Sequence, residues 1–324
     1  MPPLSPSTLT PWLGAVADVT SAPVTNGHTN DSFFVTAGDA RFVWRRSWRG
    51  KPAAQLAREA ALLDALAEVA VPQLVSTLDG QRAIVDDEGR VAQLFRRCAG
   101  EPGPRWLRAD DVHRVRAAMT RLAELHRALA TLPSESPASF TPATADAPLH
   151  WLRARYDRVV ALVDSAASAP AALPDGAAKV LARIDGILSL APSPSRPSQW
   201  LHGDYHLGNL LWNADGQIAA VVDFDDCDRG AAASEAALAL LALARRPDDD
   251  AADDFAFHRP LWDAGLAAYR AIAGPIAPYD DLALALPLFC AYQVLIHCEA
   301  SLRRHWSPAP GIGFWPCWNR LSGR

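Results

Sequence analysis

Two short apolar runs, NLLW at 209–212 and IAAVV at 218–222, flank the turn-forming residues NADG. Apolar runs of this length around such a turn predict a β-hairpin. Asn209 begins the first run and Asp223 follows the second, so pairing of the strands would place both side chains at the open end of the hairpin. An amide and a carboxylate held at one strand end constrain the fold more than any other feature of this chain.

The residues ahead of the hairpin, LHGDYHLGN, put several polar side chains into an apolar frame. Polar groups in such a frame are usually hydrogen-bonded or used in chemistry. Asp204 precedes Asn209 by five positions, and Asp223 follows Asn209 by fourteen. This spacing suits phosphoryl transfer: Asp204 would orient an attacking hydroxyl and accept its proton, and the other two would be hard oxygen ligands for Mg²⁺ on the phosphates of ATP.

Two other interpretations of this segment stay open. His202, Asp204 and His206 alternate along the chain, so on a strand they would share one face and could bind zinc. No second cluster of ligands follows them, however, and a zinc site would leave Asn209 and Asp223 without a role. The third interpretation is a polar turn whose side chains are hydrogen-bonded and have no chemical role.

The combined pattern LHGDYHLGNLLW and VVDFDD resembles the aminoglycoside phosphotransferase (APH)/choline kinase-like family, whose members have a protein-kinase-like fold. The resemblance covers residues 24–300. It implies that Asp204 is the catalytic base and that Asn209 and Asp223 hold Mg²⁺. It also implies that His206 stands where protein kinases carry a lysine that contacts phosphate.

A candidate nucleotide site lies on a strand of the N-terminal part. In the run ARFVWRRS, strand alternation puts Val43 and Arg45 on one face and Phe42 and Trp44 on the other. A kinase-like fold requires a basic residue at this place, paired with a glutamate of the following helix, to hold the phosphates. The resemblance therefore implies that Val43 covers the adenine and that Arg45 reaches the α- and β-phosphates.

Further residues complete the ATP site that the resemblance implies. Glu59, in LAREAALL, is the expected ion-pair partner of Arg45, while Arg46 and Lys51 remain alternatives to Arg45 as the phosphate-binding residue. The loop NGHTND would cover the phosphates. The backbone from Arg96 to Cys98, in LFRRCAG, would contact the adenine as a hinge.

The order of predicted elements indicates an α+β fold with two lobes. Strand patterns and one helix, predicted over 52–69, fill the N-terminal part, and the stretch AGEPGP then breaks the pattern. The rest is alanine-rich and mainly helical. We predict a two-lobed protein-kinase-like fold, with a small ATP-binding lobe at 1–98 (an antiparallel sheet plus one helix) and a larger catalytic and acceptor-binding lobe at 99–324. A cleft between the lobes is the expected ligand site.

Three polar residues of the C-terminal part are expected to support the site rather than react. His202 is implied to pack behind the metal-binding segment. His126, in LAELH, lies in an amphipathic helix pattern and is predicted to be a packing residue. Glu235, in GAAASEAAL, stands where the family usually has an aspartate that steadies the catalytic loop, and it is longer by one methylene.

The net charge and the cysteine content limit which binding partners and which cellular location we expect. A net charge of −5 gives no reason to expect a nucleic acid, and the sequence has neither an uninterrupted apolar run of transmembrane length nor a start typical of a signal peptide. Five scattered cysteines, an odd number, predict reduced thiols in a cytoplasmic protein. Asp225 and Asp226 are candidates for an acidic wall that would suit a cationic acceptor, whereas the acidic run at 248–254 reads as a solvated loop.

We therefore expect an ATP- and Mg²⁺-dependent phosphotransferase that acts on a hydroxyl of a small molecule, such as an aminoglycoside or an amino alcohol. A Ser/Thr protein kinase of the same fold is the alternative, because the motif together with LRRHW is similar to bacterial stress-response kinases. A nucleotide-binding module without catalysis is a third hypothesis. The complete set of Asp204, Asn209 and Asp223 argues against it. The sequence predicts no oligomeric state.

Overall fold

The structure is a computed structural model that describes most of the chain as two compact units. The described residues are 4–15, 18–24, 30–48, 51, 53–66, 69–132, 149–165, 173–191, 198–246, 255–304 and 314–323. The first unit lies within Met1–Gly103 and Gly208–Cys227, and the second lies within Pro104–Ser134, Phe140–Leu207 and Asp228–Arg324. The division into an ATP-binding lobe at 1–98 and a catalytic lobe at 99–324 stays a prediction.

Some sequence predictions fall outside the described residues. They concern most of the NGHTND loop, at 26–29, positions 52 and 67–68 of the predicted helix, the last two residues of LRRHW and the acidic run at 248–254.

The first unit contains an antiparallel sheet whose strands are β1 (Val19–Pro23), β2 (Asp31–Ala37), β3 (Ala40–Arg46), β4 (Gln73–Val75), β5 (Ile84–Val85) and β6 (Val91–Arg96). Their order is β1-β2-β3-β6-β4, and β5 also pairs with β6. Strands β2 and β3 form a hairpin, with Ala37 opposite Ala40 across the Gly38-Asp39 turn. Strands β5 and β6 form a second hairpin.

The two faces of this sheet carry different chemistry. On one face, Phe42 and Trp44 of β3 pack with Leu9 and Trp12 of helix α1 (Pro6–Leu13) in a buried apolar cluster. On the other face, Arg45 contacts helix α2 (Ala53–Ala65). The alternation predicted for β3 is therefore confirmed. Neither α1 nor β1 was predicted, because both lie ahead of the strong strand signals.

A second, three-stranded sheet of the first unit has the order β10-β9-β7 and consists of β7 (Glu101–Pro102), β9 (Leu210–Trp212) and β10 (Ile218–Val221). The Val221 N–H also donates to the Ala70 carbonyl at 3.0 Å. The hairpin around NADG therefore folds with the N-terminal residues, although more than a hundred residues separate the two stretches in sequence.

The second unit is mainly helical. Its helices are α3 (Val112–Ala130), α4 (His150–Ser165), α5 (Ala177–Leu190), α6 (Ala232–Ala244), α7 (Arg259–Ala273), α8 (Leu282–Arg304) and α9 (Phe314–Ser322). Strands β8 (Gln199–Leu201) and β11 (Asp228–Gly230) pair antiparallel. The prediction of an α+β fold, with a sheet ahead of a larger helical part, is confirmed, but the described part of the first unit has two helices, α1 and α2, where one was predicted.

Helix α8 is the longest helix of the second unit. It alone among the described helices is long and apolar enough, by length and composition, to cross a membrane, and 56% of that stretch is buried inside the protein. A core helix of a folded domain has the same properties. Its tyrosine, Tyr292, becomes important for the candidate active site.

We expect glycine-to-alanine changes in two helices to have opposite effects on stability. A methyl group at Gly265 of α7 would lie 2.5 Å from Leu240 Cδ1 and 3.1 Å from Met119 Cγ, so overpacking of about 1–3 kcal/mol should exceed the gain in helix propensity of up to about 1 kcal/mol. Gly186 of α5 has nothing within 4 Å of that position, so Gly186→Ala should stabilise the protein. Urea unfolding of both variants measures the two signs, and equal effects would contradict the packing argument.

Candidate active site

The β9–β10 hairpin holds Asn209 and Asp223 at its open end, as predicted. Leu210 lies opposite Val221 in the antiparallel register. Beyond this pair, the Val222 N–H donates to the Asn209 carbonyl at 2.9 Å. Because that bond closes the end of the hairpin, the two polar side chains project from neighbouring backbone positions.

Asp223 has a left-handed backbone with a φ of 66°, alone among the non-glycine residues that the structure describes. This conformation costs an L-residue roughly 1–2 kcal/mol, although aspartate tolerates it better than most. Such strain persists where the surroundings hold it, and it is common at functional sites. The Asp223 side chain is 42% exposed, so its carboxylate is accessible to a ligand.

The ion pair predicted between Arg45 and Glu59 is present and bidentate. Arg45 Nη1 donates to Glu59 Oε1 at 2.8 Å, and Nη2 donates to Oε2 at 2.6 Å. A further bond of 2.9 Å joins Nη2 to Gln93 Oε1, and the guanidinium lies 4.8 Å from the centre of the Phe95 ring. Burial alone would lower the pKa of Arg45, but the carboxylates of Glu59, Asp225 and Asp223 raise it above the ordinary value. Arg45 is thus a fixed positive charge.

Lys51 and Asp225 form a second buried ion pair beside the first. Lys51 Nζ donates to Asp225 Oδ1 and lies 3.8 Å from Glu59 Oε2. Arg45 Nη1 is 3.4 Å from the same Asp225 oxygen. Burial opposes ionisation of Asp225, but Lys51 and Arg45 lower its pKa below the ordinary value. Since Asp225 is buried in this way, we do not assign it to an acidic wall for an acceptor.

The charges of this buried cluster balance one another. Arg45 and Lys51 supply two positive charges, Glu59 and Asp225 supply two negative ones, and their side chains are between 1% and 9% exposed. Asp223 Oδ1 lies 3.8 Å from Arg45 Nη1 and adds one negative charge at the accessible edge. A carboxylate placed there can attract a divalent cation, while the adjacent guanidinium can attract phosphate.

Arg46 belongs to a different cluster. Its guanidinium donates to Asp31 Oδ2 at 3.0 Å and to Asp86 Oδ2 at 3.3 Å. Arg90 also pairs with Asp31 at 2.6 Å. The geometry therefore separates Arg46 from Arg45 and Lys51, which share the cluster around Asp225.

The remaining residues of the predicted ATP site lie on β3 and β6 or just beyond. Val43 is half-buried and pairs with Phe95 across the sheet. Arg96 is exposed at the end of β6, and Cys98 follows as a half-buried free thiol. Burial raises the pKa of Cys98 to about 11, so its side chain is a neutral thiol. Their contacts with adenine stay predictions.

Asp204 lies in the second unit, in the loop after β8. Tyr292 of α8 donates its O–H to Asp204 Oδ1, and His206 Nε2 is 3.4 Å from Oδ2. Burial alone would raise the pKa of Asp204, but His206, the Tyr292 hydrogen bond and the charge of Arg155 hold it well below the ordinary value. Asp204 is therefore a carboxylate at neutral pH, able to accept a hydrogen bond from a hydroxyl.

Glu235 of α6 holds the backbone of the loop that carries Asp204. Its carboxylate accepts the His202 N–H at 3.2 Å and the Gly203 N–H. The His126 ring is 2.6 Å from the same carboxylate, and its other nitrogen is 2.6 Å from the Tyr269 hydroxyl. The longer glutamate therefore still reaches the loop. His126 is buried, as a packing residue would be, but it also takes part in this polar network through both ring nitrogens.

The zinc interpretation has no support in this geometry. His202 is fully buried, and its Nδ1 accepts the Asp204 N–H at 3.2 Å. Its ring contacts Tyr205 edge to face at 5.9 Å. Within the described parts of the chain, no three His, Cys, Asp or Glu side chains are grouped so that they could hold a metal ion.

Sequence reasoning missed Tyr292 and the partnership of Lys51 with Asp225. Tyr292 is embedded in the apolar run of α8, where a tyrosine reads as one more core residue. One weak indication in the sequence sets Lys51 apart. It and Lys179 are the only lysines among the 31 lysine and arginine residues.

Comparisons with known proteins show the family and the fold of this chain. The model of a family described as "Phosphotransferase enzyme family" matches residues 20–272. A sequence comparison with curated proteins found no match. A microcompartment-associated aminopropanol kinase is 19% identical with a TM-score of 0.62, and 98% of this chain and 93% of that chain are covered.

Two further solved structures have the same fold at low identity. An amicoumacin kinase, in complex with AMP-PNP and Ca²⁺, is 13% identical with a TM-score of 0.66, and 94% of this chain and 88% of that chain are covered. A macrolide 2'-phosphotransferase from Brachybacterium faecium is 18% identical with a TM-score of 0.54, covering 94% and 97%. At these identities the likeness concerns the fold.

Proposed function

Because the chain belongs to the phosphotransferase enzyme (APH) family, we propose that it transfers the γ-phosphate of ATP to a hydroxyl of a small molecule, with Mg²⁺ bound. One observation carries the proposal: Asp223 adds an accessible negative charge at the edge of a cluster whose buried charges balance. The amicoumacin kinase, which was solved with AMP-PNP and Ca²⁺, supports a nucleotide and a divalent cation as ligands.

In the proposed nucleotide site, Arg45 binds the phosphates. Glu59 fixes its guanidinium in one orientation, and an arginine is charged at every physiological pH. Arg46 is less suitable because it belongs to the separate cluster with Asp31 and Asp86, whereas Arg45 lies 3.8 Å from Asp223. Val43 and the backbone from Arg96 to Cys98 are proposed to contact the adenine.

Asn209 and Asp223 are proposed to hold Mg²⁺. An amide oxygen and a carboxylate are hard oxygen donors, and the hairpin holds them at one end. Magnesium needs few protein ligands because phosphate oxygens and water complete its coordination. When bound, the ion would neutralise charge on the phosphate oxygens.

Asp204 is proposed to accept the proton of the acceptor hydroxyl. The hydroxyl oxygen then forms a bond to the γ-phosphorus, the bond to the β-phosphate oxygen breaks, and ADP leaves with the electron pair. Each carboxylate oxygen has two lone pairs, so the bond from Tyr292 to Oδ1 leaves capacity for the substrate. His206, 43% exposed beside Asp204, is proposed to contact the transferred phosphate.

The acceptor is proposed to be an amino alcohol, an aminoglycoside or a similar small molecule. The similar solved structures include an aminopropanol kinase and a macrolide phosphotransferase, which agrees with a small-molecule hydroxyl. A cytoplasmic location is also proposed, because all five cysteines are free thiols.

A screen with γ-labelled ATP tests the proposal. The acceptors are an amino alcohol, an aminoglycoside, a macrolide and a dephosphorylated protein, each with and without Mg²⁺. We expect label on a small molecule and only with Mg²⁺. Label on the protein alone would favour the Ser/Thr kinase alternative, and no nucleotide binding at all would contradict the proposal.

Asp223→Asn should weaken the response to Mg²⁺. Asparagine also tolerates the left-handed backbone, so the change removes chiefly the charge. We expect the Mg²⁺ concentration that half-saturates AMP-PNP binding to rise at least about tenfold, measured by calorimetry. Asp215→Asn, in the turn of the same hairpin, is the control and should bind like the wild type. An unchanged Mg²⁺ response of Asp223→Asn would remove Asp223 from the metal site.

A further inference from the structure

Lys51 is a buried cation that the proposed mechanism does not use. Its side chain is 1% exposed, and its ammonium group contacts Asp225 Oδ1. It also lies 3.8 Å from Glu59 Oε2. An ammonium group donates three hydrogen bonds and is costly to bury, so carboxylates at these distances hold it in place.

Asp225 joins four parts of the first unit. Its carboxylate accepts from Lys51, which precedes α2, and from Asn30, which precedes β2, at 3.3 Å. Arg45 of β3 lies 3.4 Å from it. Its backbone carbonyl accepts the Gln55 side chain of α2 at 2.7 Å. Asp225 is thus the anchor of the segment that follows β10.

Asp225 lies two residues after Asp223, whose backbone is strained. The segment leaves β10 after Val221, and Phe224, between the two aspartates, is fully buried. Because β10 fixes the backbone before Asp223, and Phe224 and Asp225 are held after it, the backbone at Asp223 has little freedom. Asp223 therefore keeps its φ of 66° and its accessible carboxylate. A left-handed residue needs surroundings that hold it in this way.

We propose that Lys51 is a positioning residue of the nucleotide site, which holds Asp225 and through it orients Asp223 toward the metal ion. This inference rests on the proposed function. It assigns Lys51 to Asp225 and leaves phosphate binding to Arg45. The charge balance supports the assignment, because without Lys51 the buried carboxylates of Glu59 and Asp225 would face Arg45 alone.

A double-mutant cycle separates positioning from direct phosphate binding. Calorimetry measures the affinity for AMP-PNP with Mg²⁺ in the wild type, Lys51→Met, Asp225→Asn and the double variant. Lys51→Met leaves Asp225 as a buried charge without its ammonium partner, so we expect affinity to fall about 10- to 100-fold. The double variant removes both charges, so its affinity for AMP-PNP should lie within about threefold of the affinity of Asp225→Asn alone.

The opposite result would overturn the inference. If Lys51 binds the phosphates directly, adding Lys51→Met to Asp225→Asn would lower the affinity by a further factor of about ten or more. This comparison uses only the two variants that lack the Asp225 charge, so it remains decisive even if Lys51→Met alone does not fold. Failure of the wild type to bind the nucleotide would overturn the proposed function together with the inference, whereas wild-type binding without recovery overturns the inference only.

Lys179→Met provides the matched control. Lys179 is the other lysine of the chain, lies in the second unit and donates to the Ser322 carbonyl at 2.8 Å. We expect its replacement to leave the affinity for AMP-PNP unchanged. A loss equal to that of Lys51→Met would show that removal of any lysine has this effect, and the inference would fall.

Discussion

Replacing Asp204 by asparagine should lower kcat for phosphoryl transfer by about 10²- to 10⁴-fold, the usual contribution of a positioned acid–base group. The amide has nearly the same shape and can still accept the hydrogen bond from Tyr292, so the loop should keep its structure. The amide cannot take the proton of the acceptor hydroxyl, however. The loss should therefore appear in kcat, measured with the acceptor identified by the screen.

Two measurements separate this effect from damage to the fold. Binding of AMP-PNP with Mg²⁺ should stay within about threefold of wild type, because Asp204 is not proposed to bind nucleotide. Asp263→Asn, which alters an exposed pair with Arg259 on α7, is the matched control and should retain full kcat. A fully active Asp204→Asn enzyme would exclude Asp204 as the base.

Glu235→Ala should destabilise the second unit by about 3–5 kcal/mol, as expected when one partner of a buried charged network is removed. The change leaves the backbone N–H groups of His202 and Gly203 without their acceptor. It also removes the carboxylate that contacts the His126 ring. Urea unfolding at neutral pH measures the loss. Glu124→Ala, on the exposed side of α3 beside Arg121, is the control and should cost at most about 1 kcal/mol.

The difference in the free energy of unfolding between wild type and Glu235→Ala should depend on pH in one direction. Burial would raise the pKa of Glu235, but the hydrogen bond and charge of His126 lower it below its ordinary value of 4.5. A carboxylate whose pKa is lowered by folding stabilises the protein fully above the unfolded value, and this contribution is lost as the pH falls through the folded value. The gap between wild type and Glu235→Ala should therefore narrow in acid. A gap that widens below pH 4.5 would contradict the ionised state of Glu235.

Local sequence patterns predicted those features that depend on near neighbours. The β9–β10 hairpin follows from two apolar runs around NADG, and the split faces of β3 follow from alternation. The pairing of Arg45 with Glu59 could also be expected, because the resemblance to kinases places a basic strand residue opposite a helix glutamate.

Contacts between distant residues could not be predicted in this way. Lys51 and Asp225 are 174 positions apart, and Tyr292 meets Asp204 across 88. Neither pair leaves a periodic trace in the sequence, because the fold alone brings such residues together. The phosphate-binding residue stayed ambiguous for the same reason: only the fold shows that Arg46 pairs with Asp31 and Asp86, whereas Arg45 lies beside Asp223.

The discontinuous make-up of the first unit has a consequence for its synthesis on the ribosome. Strands β1 to β7 are complete by residue 102, but Asp225, which neutralises Lys51, emerges more than a hundred residues later. Until then the buried cluster contains Arg45 and Lys51 with the single carboxylate of Glu59. A fragment that ends at Gly103 would keep this imbalance permanently, so expression of the N-terminal part alone should yield a poorly folded product.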